Sequence, residues 1–369
     1  MFEMSVVQRT RTTPFFDNIV AAGVKGFTVY NHMLLATYFE SFEADYWNLI
    51  NNVAMWDVAC ERQVEITGPD AFKLVTLMTP RNISKCKVGQ GKYVPLCDEN
   101  GGVVNDPILL RLGENHFWLS IADTDVLLWA KGLAQGYGLD VQICEPDVSP
   151  LAVQGPNADK VCASLLGGWI YDLKYFWFRE FDLDGIPLVV QRSGWSKQGG
   201  LELYLRDGSQ GNRLWEMVAE AGKPFGIKAG TPSGVERVES GLLSYGNDMT
   251  LENNPYEIGL GKYCSLNQEA DFIAKDALKR IKAEGVKQKL VGLVLPDVKV
   301  LGVHQWMKLS SEDGAPAGKI TSLTYSPRME QTIALAIVPT ELTAVSTPLI
   351  AHLPNGDTPA IVHEIPFIK

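Results

Sequence analysis

The chain has 369 residues, of which 46% are hydrophobic and 21% are charged. This composition is typical of a globular protein, and the length exceeds what one compact core needs. With 33 basic against 43 acidic residues, the formal net charge of −10 argues against a nucleic-acid partner or an anionic membrane surface. No apolar run approaches the roughly 18 residues that span a bilayer, and the first residues turn polar before a signal-peptide core develops. We therefore expect a cytoplasmic protein of several domains.

Cysteine and histidine are too scattered to indicate a metal site. The six cysteines never form a C-x-x-C pair, which argues against a disulfide scaffold or a zinc ribbon. No H-E-x-x-H, G-x-G-x-x-G or G-x-x-x-x-G-K-[ST] motif is present. The five histidines are His32, His116, His304, His352 and His363. We expect them to be structural, and we expect a chemistry without metal or nucleotide.

From about residue 25, short strand-like runs alternate with helical stretches. The predicted helices are Ser41–Asn52, Ala71–Met78, Thr124–Ala134, Gly211–Ala221 and Gly234–Leu243. The predicted strands are Gln63–Thr67, Lys92–Leu96, Val103–Leu112, Phe117–Ile121, Asp140–Cys144, Leu151–Gln154, Phe181–Gln191 and Gly200–Leu205. Long buried parallel runs are absent from this sequence pattern, so it predicts a mixed α+β class and not a doubly wound sheet.

The clearest boundary is a basic helix at Asp276–Lys289 that ends in Gly285 and a short charged linker. Beyond it, short strands with turns between them predict a small all-β barrel or sandwich. These strands are Leu290–Leu295, Trp306–Leu309, Ala317–Thr321, Ile333–Val338 and Ala360–His363. We place the domain boundary between residues 285 and 286.

The first segment that combines special backbone residues with polar side chains is Tyr93–Pro107. A hairpin turn precedes Asn105-Asp106-Pro107, which interrupts an apolar strand. Because Pro107 cannot donate to a β-ladder, the strand is locally unpaired or at an edge. Asp106 is either a solvated edge residue or a carboxylate placed in a pocket.

The second segment, Arg192–Tyr204, is a glycine-rich loop with Trp195 at its tip, followed by a strand. Its glycines allow the backbone to approach a ligand closely. Alternation puts Glu202 and Tyr204 on one face of the strand. A carboxylate and a phenol at this spacing are able to share a ligand, and the alternative is an amphipathic strand with a wet face.

The third segment, Glu236–Asp248, contains a short helix that ends in turn-forming residues. Glu236 and Glu239 are predicted to face Arg237 and each other across one helical turn. Charge pairs at helix ends are mostly structural, so a structural role for Arg237 stands beside a functional one.

With these segments in view, the chain resembles the glycine-cleavage T-protein family of tetrahydrofolate-dependent aminomethyl and methyl transferases. The resemblance covers nearly the whole chain and includes the glycine-tryptophan loop with Glu202 and the helix end from Arg237 to Asp248. Its other motifs are Trp56–Val58, Ile66–Ala71, Gly102–Asp106, Leu151–Pro156, Asn254–Leu260 and Thr321–Pro327.

Within the family the chain is most similar to the dimethylsulfoniopropionate demethylase branch. The runs that resemble this branch are Tyr30–Leu35, Asp57–Ile66, Glu145–Leu151 and Arg192–Gly200. The T-protein proper has a Thr-Gly-Tyr-Thr-Gly-Glu type of loop where Trp195 stands. One departure is Ile258, at a position where the demethylases usually carry cysteine.

The resemblance implies an α+β fold, a three-domain cloverleaf with mixed and antiparallel sheets and a C-terminal all-β barrel. Residues 1–285 are then the tetrahydrofolate-binding transferase region, built from two interleaved α+β domains, and residues 286–369 are the barrel domain.

The resemblance also implies the roles of six residues. Asp106 is the expected catalytic carboxylate near the reacting N5 nitrogen, and Glu202 is expected to hold the N–H groups of the pterin ring. Trp195 offers an aromatic face to a cationic substrate. The expected substrate-binding residues are Trp195, Tyr204 and Tyr93, and the expected cofactor-binding residues are Glu202, Tyr204, Tyr93, Asp106 and Arg237.

The function that the resemblance implies is transfer of a methyl group from dimethylsulfoniopropionate to N5 of tetrahydrofolate, which yields 5-methyltetrahydrofolate and methylmercaptopropionate. Two alternatives stay open: a transferase that acts on another methylated amine or betaine, and a folate-binding paralogue without turnover. No feature demands the lipoyl-carrying partner protein of the aminomethyl reaction. The sequence leaves the oligomeric state open.

Overall fold

The computed structural model describes residues 9–296, 298–300 and 306–368. His304 lies outside the described residues. The helices within the described residues are α1 (Phe16–Ala21), α2 (Phe42–Asn51), α3 (Ala71–Met78), α4 (Val126–Gly136), α5 (Ala158–Leu166), α6 (Gly211–Gly222), α7 (Gly234–Glu239) and α8 (Lys275–Glu284).

The strands of the described residues follow in chain order. They are β1 (Gly26–Tyr30), β2 (Met33–Tyr38), β3 (Val53–Asp57), β4 (Gln63–Thr67), β5 (Gln90–Tyr93), β6 (Leu96–Cys97), β7 (Val103–Asn105), β8 (Ile108–Gly113), β9 (His116–Ser120), β10 (Gln142–Cys144), β11 (Ser149–Gln154), β12 (Phe178–Leu183), β13 (Ile186–Gln191), β14 (Gly200–Leu205), β15 (Ile227–Gly230), β16 (Gln288–Leu295), β17 (Met307–Ser310), β18 (Pro316–Ser326), β19 (Gln331–Pro339), β20 (Pro348–Leu353) and β21 (Gly356–His363).

The chain divides into two compact units. The first comprises the described residues up to Phe72 together with Cys86–Lys92 and Ile108–Ser233. The second comprises Lys73–Lys85, Tyr93–Pro107 and the described residues from Gly234 onward. The predicted boundary between residues 285 and 286, and the division into three domains, stay predictions.

The first unit is built on a six-stranded sheet with the order β12-β13-β14-β11-β3-β15. Its strands pair antiparallel, except that β15 runs parallel to β3. One face packs against α1, α5 and α6, where Leu201, Leu203 and Leu205 join the largest apolar cluster of this unit. The opposite face of β14 contributes Tyr204 to a cluster with Leu110 and Trp118 of a five-stranded sheet, β10-β4-β9-β8-β5. β14 is therefore covered on both faces.

The second unit contains a closed barrel with the strand order β16-β19-β18-β17-β20-β21. Alternating residues of these strands fill its interior, for example Leu293, Ile320 and Ala336. A two-stranded hairpin, β6-β7, belongs to the same unit and carries the chain toward Asp106. The predicted α+β class and the predicted C-terminal barrel are confirmed.

Three predicted elements differ from the structure for identifiable reasons. The strands predicted at Lys92–Leu96 and Val103–Leu112 are each interrupted, and Pro95 and Pro107 lie at the interruptions because proline cannot donate to a ladder. The helix predicted to reach Leu243 ends at Glu239, because Gly241 adopts a left-handed conformation with φ of 66°.

Candidate functional site

The carboxylate of Glu202 lies in the interior of the first unit. Glu202 lies in the middle of β14 and is only 5% exposed. The alternative of an amphipathic strand with a solvent-exposed polar face is therefore wrong. Both hydroxyl groups that donate to it reach the same oxygen, Oε2: Ser193 Oγ, and Tyr204 OH at 3.0 Å. Within the described residues no hydrogen bond reaches Oε1. Burial raises the pKa of the Glu202 carboxyl.

Gln191 completes this cluster from the neighbouring strand, where its backbone pairs with that of Glu202. Its Oε1 lies 3.1 Å from Ser193 Oγ and 3.2 Å from Tyr204 OH. Its buried Nε2 has no acceptor within the described residues. The two hydroxyl groups have only two hydrogens to share between the oxygens of Glu202 and Gln191. The cluster therefore retains one unmet acceptor, Glu202 Oε1, and one unmet donor, Gln191 Nε2.

The loop that carries Trp195 is anchored by Gln154. Gln154 Nε2 donates to the Ser193 carbonyl at 3.0 Å, and Ser196 Oγ donates to Gln154 Oε1 at 2.9 Å. A Cβ added at Gly194 would lie 2.1 Å from both polar side-chain atoms of Gln154, so glycine is required at this position. The sequence predicted that the loop glycines allow the backbone to approach a ligand closely. At Gly194, the structure shows the backbone close to the side chain of Gln154 instead. The half-buried Trp195 follows Gly194 directly.

A second cluster, in the second unit, surrounds Asp106. The residue follows β7, is half-buried, and accepts a hydrogen bond from Tyr93 OH on Oδ2 at 2.8 Å. The ring of Tyr93 meets that of Tyr263 edge-on, with 5.5 Å between the centroids. Burial raises the pKa of Asp106 to about 7, and the hydrogen bond from Tyr93 opposes part of that rise. Asp106 is therefore able to exchange a proton near neutral pH.

Arg237 lies in the second unit and is fully buried against Asp248. Its Nη1 donates to Asp248 Oδ2 at 2.6 Å, and its Nη2 donates to Ser322 Oγ at 2.6 Å. Asp248 Oδ1 accepts from Thr321 at 2.6 Å and from Ser322 at 2.7 Å. Successive side chains of a regular strand point to opposite faces, but the β18 register shifts at Ile320/Ser322, so both neighbours reach one carboxylate.

The pairing predicted among Glu236, Arg237 and Glu239 stays a prediction, and the contacts described for these residues have other partners. Glu239 accepts hydrogen bonds from Ser326 and Arg328, and Glu236 accepts one from Ser240 at 2.7 Å. A helical turn brings residues three and four apart together, but it carries no information on barrel residues that pack on the helix.

Six site residues were predicted, and they are divided between the two units. Trp195, Glu202 and Tyr204 are in the first unit, and Tyr93, Asp106 and Arg237 are in the second. Their roles toward a ligand stay predictions, and the contacts of Arg237 given above are all internal. The residues that the sequence reading missed are Gln191, Ser193, Asp248 and Tyr263. A polar Gln-Arg-Ser run at the end of the apolar strand Ile186–Val190 is the signal that indicates the first two.

Ile258 packs in an apolar cluster with Val103, Met249 and Leu260 and is 2% exposed. Buried cysteine behaves as a small hydrophobic residue, so isoleucine at this position is compatible with the same packing.

No set of three or more His, Cys, Asp or Glu side chains in the described part of the chain is arranged to hold a metal ion. None of the helices described above combines the length and apolar content that a bilayer crossing requires.

Comparison with known proteins gives two family matches that together span most of the chain. Residues 15–268 match the GCVT N-terminal domain, and residues 288–369 match the glycine cleavage T-protein C-terminal barrel domain.

Individual relatives match over nearly their full length. A dimethylsulfoniopropionate demethylase of Ruegeria pomeroyi is 45% identical over 357 residues, which cover 97% of each chain. An aminomethyltransferase of Bacillus mycoides is 30% identical over 375 residues, which cover 99% of each. The crystal structure of the glycine cleavage system aminomethyltransferase T of Bartonella henselae superimposes with a TM-score of 0.86 at 23% identity, over 97% of this chain and 98% of that one.

Proposed function

Because the chain belongs to the glycine cleavage T-protein family, we propose that it is a tetrahydrofolate-dependent demethylase that takes a methyl group from dimethylsulfoniopropionate and leaves methylmercaptopropionate. The observation that carries this proposal is the 45% identity to the demethylase over 97% of both chains, against 30% to an aminomethyltransferase at similar coverage.

The Glu202 cluster has the donors and acceptors that a pterin ring needs. A pterin presents N–H donors beside a carbonyl acceptor, and the cluster offers the unmet acceptor Glu202 Oε1 and the unmet donor Gln191 Nε2. When bound, tetrahydrofolate supplies the neutral amine nitrogen that takes the methyl group. Tyr204 is 0% exposed and donates to Glu202, so we propose that its main contribution is to orient that carboxylate.

Glu202→Gln is expected to weaken tetrahydrofolate binding by about 10- to 100-fold, because a hydrogen bond to a charged group is worth roughly 1.5–3 kcal/mol. Titration of the protein's tryptophan fluorescence with tetrahydrofolate measures the effect. Glu180→Gln, at an exposed position of the same unit, is the matched control and should leave the affinity unchanged. Equal affinities for the two variants would remove Glu202 from the folate site.

Asp106 and Tyr93 handle the proton. When the methyl–sulfur bond breaks, its electron pair stays on sulfur, the sulfonium becomes a neutral thioether, and methylation of a secondary amine nitrogen leaves one proton to be removed. We propose that the Asp106 carboxylate takes that proton while Tyr93 OH fixes its orientation through the 2.8 Å hydrogen bond. Holding donor and acceptor at attack distance supplies about 7–11 kcal/mol of the barrier in well-oriented reactions, so most of the catalysis is positioning.

Trp195 is the ring that we propose for the sulfonium cation. A cation over a desolvated tryptophan face gains about 2 kcal/mol, so Trp195→Ala should raise the KM for dimethylsulfoniopropionate by about 10- to 30-fold. The affinity for tetrahydrofolate should change much less. Trp195→Phe keeps an aromatic face and should recover part of the loss in steady-state assays. Equal losses of substrate and folate binding in Trp195→Ala would contradict the cation–π role.

A substrate panel tests the proposed function against its rivals. Purified protein with tetrahydrofolate should demethylate dimethylsulfoniopropionate faster than glycine betaine or N-methylated glycines at equal concentration. Preference for a methylated amine would favour the second enzyme class, and folate binding without turnover of any donor would favour a binding protein.

We also propose that the protein acts in the cytoplasm. All six of its cysteines are free thiols, which suits a reducing compartment.

A further inference from the structure

A groove of about 700 Å³, the α8 groove, is lined in the second unit by α8, by residues 264–268 and by Asn82. Its volume lies within the range of small-molecule pockets, roughly 300–1,000 Å³. Lys279 and Lys282 of α8 line the groove, and none of the described residues that line it is acidic. The α8 groove is therefore positively charged and large enough for an organic ligand with several charges.

The two lysines of the α8 groove are available to an anion. Lys282 forms no ion pair with any described residue. Lys279 lies 4.0 Å from Asp276, and because the two side chains are 52% and 98% exposed, that pair is weak. Burial raises the pKa of the Cys264 thiol to about 12, although the charge of Lys282 opposes the rise. Cys264 is thus a neutral thiol at pH 7 and does not compete with an anion for Lys282.

Side-chain amides line another part of the α8 groove. Gln268 Nε2 donates to the Pro80 carbonyl at 3.2 Å and is therefore occupied. Asn82 accepts a hydrogen bond from Ser84 Oγ at 2.6 Å, but its Nδ2 donates to no described residue, and neither does Nδ2 of Asn267. Amide donors beside lysines are complementary to a peptide-like chain that carries both carbonyl groups and carboxylates.

Two segments of the chain connect the α8 groove to Tyr93 within the same unit. The ring of Tyr263 meets that of Tyr93, and the next residue, Cys264, lines the groove. Arg81 Nη1 donates to the backbone carbonyl of Tyr93, and the next residue, Asn82, also lines the groove. The α8 groove therefore begins one residue beyond the contacts of Tyr93 on both segments.

We propose that the α8 groove binds the γ-linked glutamates that extend the tail of tetrahydrofolate. The proposal rests on the proposed function, in which N5 of the cofactor lies at Asp106, the carboxylate that accepts from Tyr93 OH. Tetrahydrofolate carries its aminobenzoyl-glutamate chain on the carbon next to N5, and each further glutamate adds one amide and one carboxylate. The lysines provide charge for the carboxylates, and Asn82 and Asn267 provide donors for the amide carbonyls.

The test compares the affinities for tetrahydrofolate with one and with five glutamates, measured by titration of tryptophan fluorescence. The wild type should bind the pentaglutamate more tightly at low salt. Lys279→Gln/Lys282→Gln should lower this preference by about 2- to 30-fold, as expected for the loss of two exposed ion pairs. The wild-type preference should also fall toward one near 1 M salt, where the Debye length is about 3 Å.

Arg280→Gln is the matched control for Lys282→Gln, because it removes a charge from the same helix at an exposed position that does not line the groove. It should leave the preference for the pentaglutamate unchanged. Equal affinities of the wild type for the two folates at low salt would overturn the proposal, and so would equal losses of preference in Arg280→Gln and Lys282→Gln.

A separate measurement distinguishes failure of this proposal from failure of the proposed function. If the wild type bound neither folate, the proposed function would fail, and calorimetry with free γ-linked pentaglutamate would decide the inference. Binding by the wild type that is lost in Lys279→Gln/Lys282→Gln would support a glutamyl site in the α8 groove. Absence of binding, or equal binding by the two proteins, would overturn it.

Discussion

Asp106→Asn is expected to reduce kcat by about 10²- to 10⁴-fold, the range of general-base catalysis, while tetrahydrofolate affinity stays within a few-fold of the wild type. The amide keeps the shape of the side chain and an acceptor for Tyr93 OH, but it cannot take a proton. Single-turnover kinetics together with a fluorescence titration separate the two effects.

The pH dependence provides a second readout of the same residue. Burial raises the pKa of Asp106 to about 7, and only the ionised carboxylate accepts a proton. The wild-type kcat should therefore rise about tenfold per pH unit below 7 and level off above it, whereas the residual rate of Asp106→Asn should lack this limb.

The same shift predicts the effect of Asp106 on stability. The folded state keeps the Asp106 proton that the unfolded chain releases above about pH 4. The group's contribution to the free energy of unfolding is therefore present at low pH and is lost as pH rises through 7. In the kinetic experiment, a rise of kcat with pH below 7 that persists in Asp106→Asn would show that another group titrates.

Arg237→Met is expected to lower the free energy of unfolding by about 3–5 kcal/mol, because it leaves the buried carboxylate of Asp248 without its counter-charge. Asp248 is 0% exposed, and two hydroxyl groups and a backbone N–H are its remaining donors. The double variant Arg237→Met/Asp248→Leu removes both charges and should recover much of the loss. Urea denaturation monitored by circular dichroism measures all three proteins.

The control for this experiment is an exposed ion pair. Lys223 and Glu220 are about 70% exposed, and Lys223→Ala should cost no more than about 1 kcal/mol. If Arg237→Met lowered the free energy of unfolding as little as Lys223→Ala, the buried ion pair would not stabilise the fold. A direct role of Arg237 in ligand binding would then gain support.

Local patterns predicted the direction of the Glu202 side chain but not its environment. Alternation along Gly200–Leu205 placed Glu202 and Tyr204 on one face of the strand, as the structure has them. The same alternation is compatible with a wet face. Leu110 and Trp118 of another sheet contribute to the cover on that face, and strand periodicity carries no information on which distant segment packs there.

The ion pairs of α7 could not be predicted from the sequence, because their partners are distant along the chain. Spacing within the helix predicted contacts of Arg237 with its neighbours, whereas the partners described above are Asp248 and Ser322. The partnership with Ser322 depends on barrel closure and on one register shift in β18, both of which are tertiary features. Strand and turn signals were sufficient to predict an all-β barrel or sandwich at the C-terminal end, because the predicted strands are short and separated by turn residues. They did not predict β20, which completes the closed barrel.

The most direct test of the central claim uses dimethylsulfoniopropionate with ¹³C-labelled S-methyl groups and one equivalent of tetrahydrofolate. With the purified protein, NMR should show the label on the N5 methyl of 5-methyltetrahydrofolate, with methylmercaptopropionate formed in equal amount. Unlabelled folate and intact dimethylsulfoniopropionate after prolonged incubation, with tetrahydrofolate shown to be bound, would contradict the assignment as a demethylase of this sulfonium.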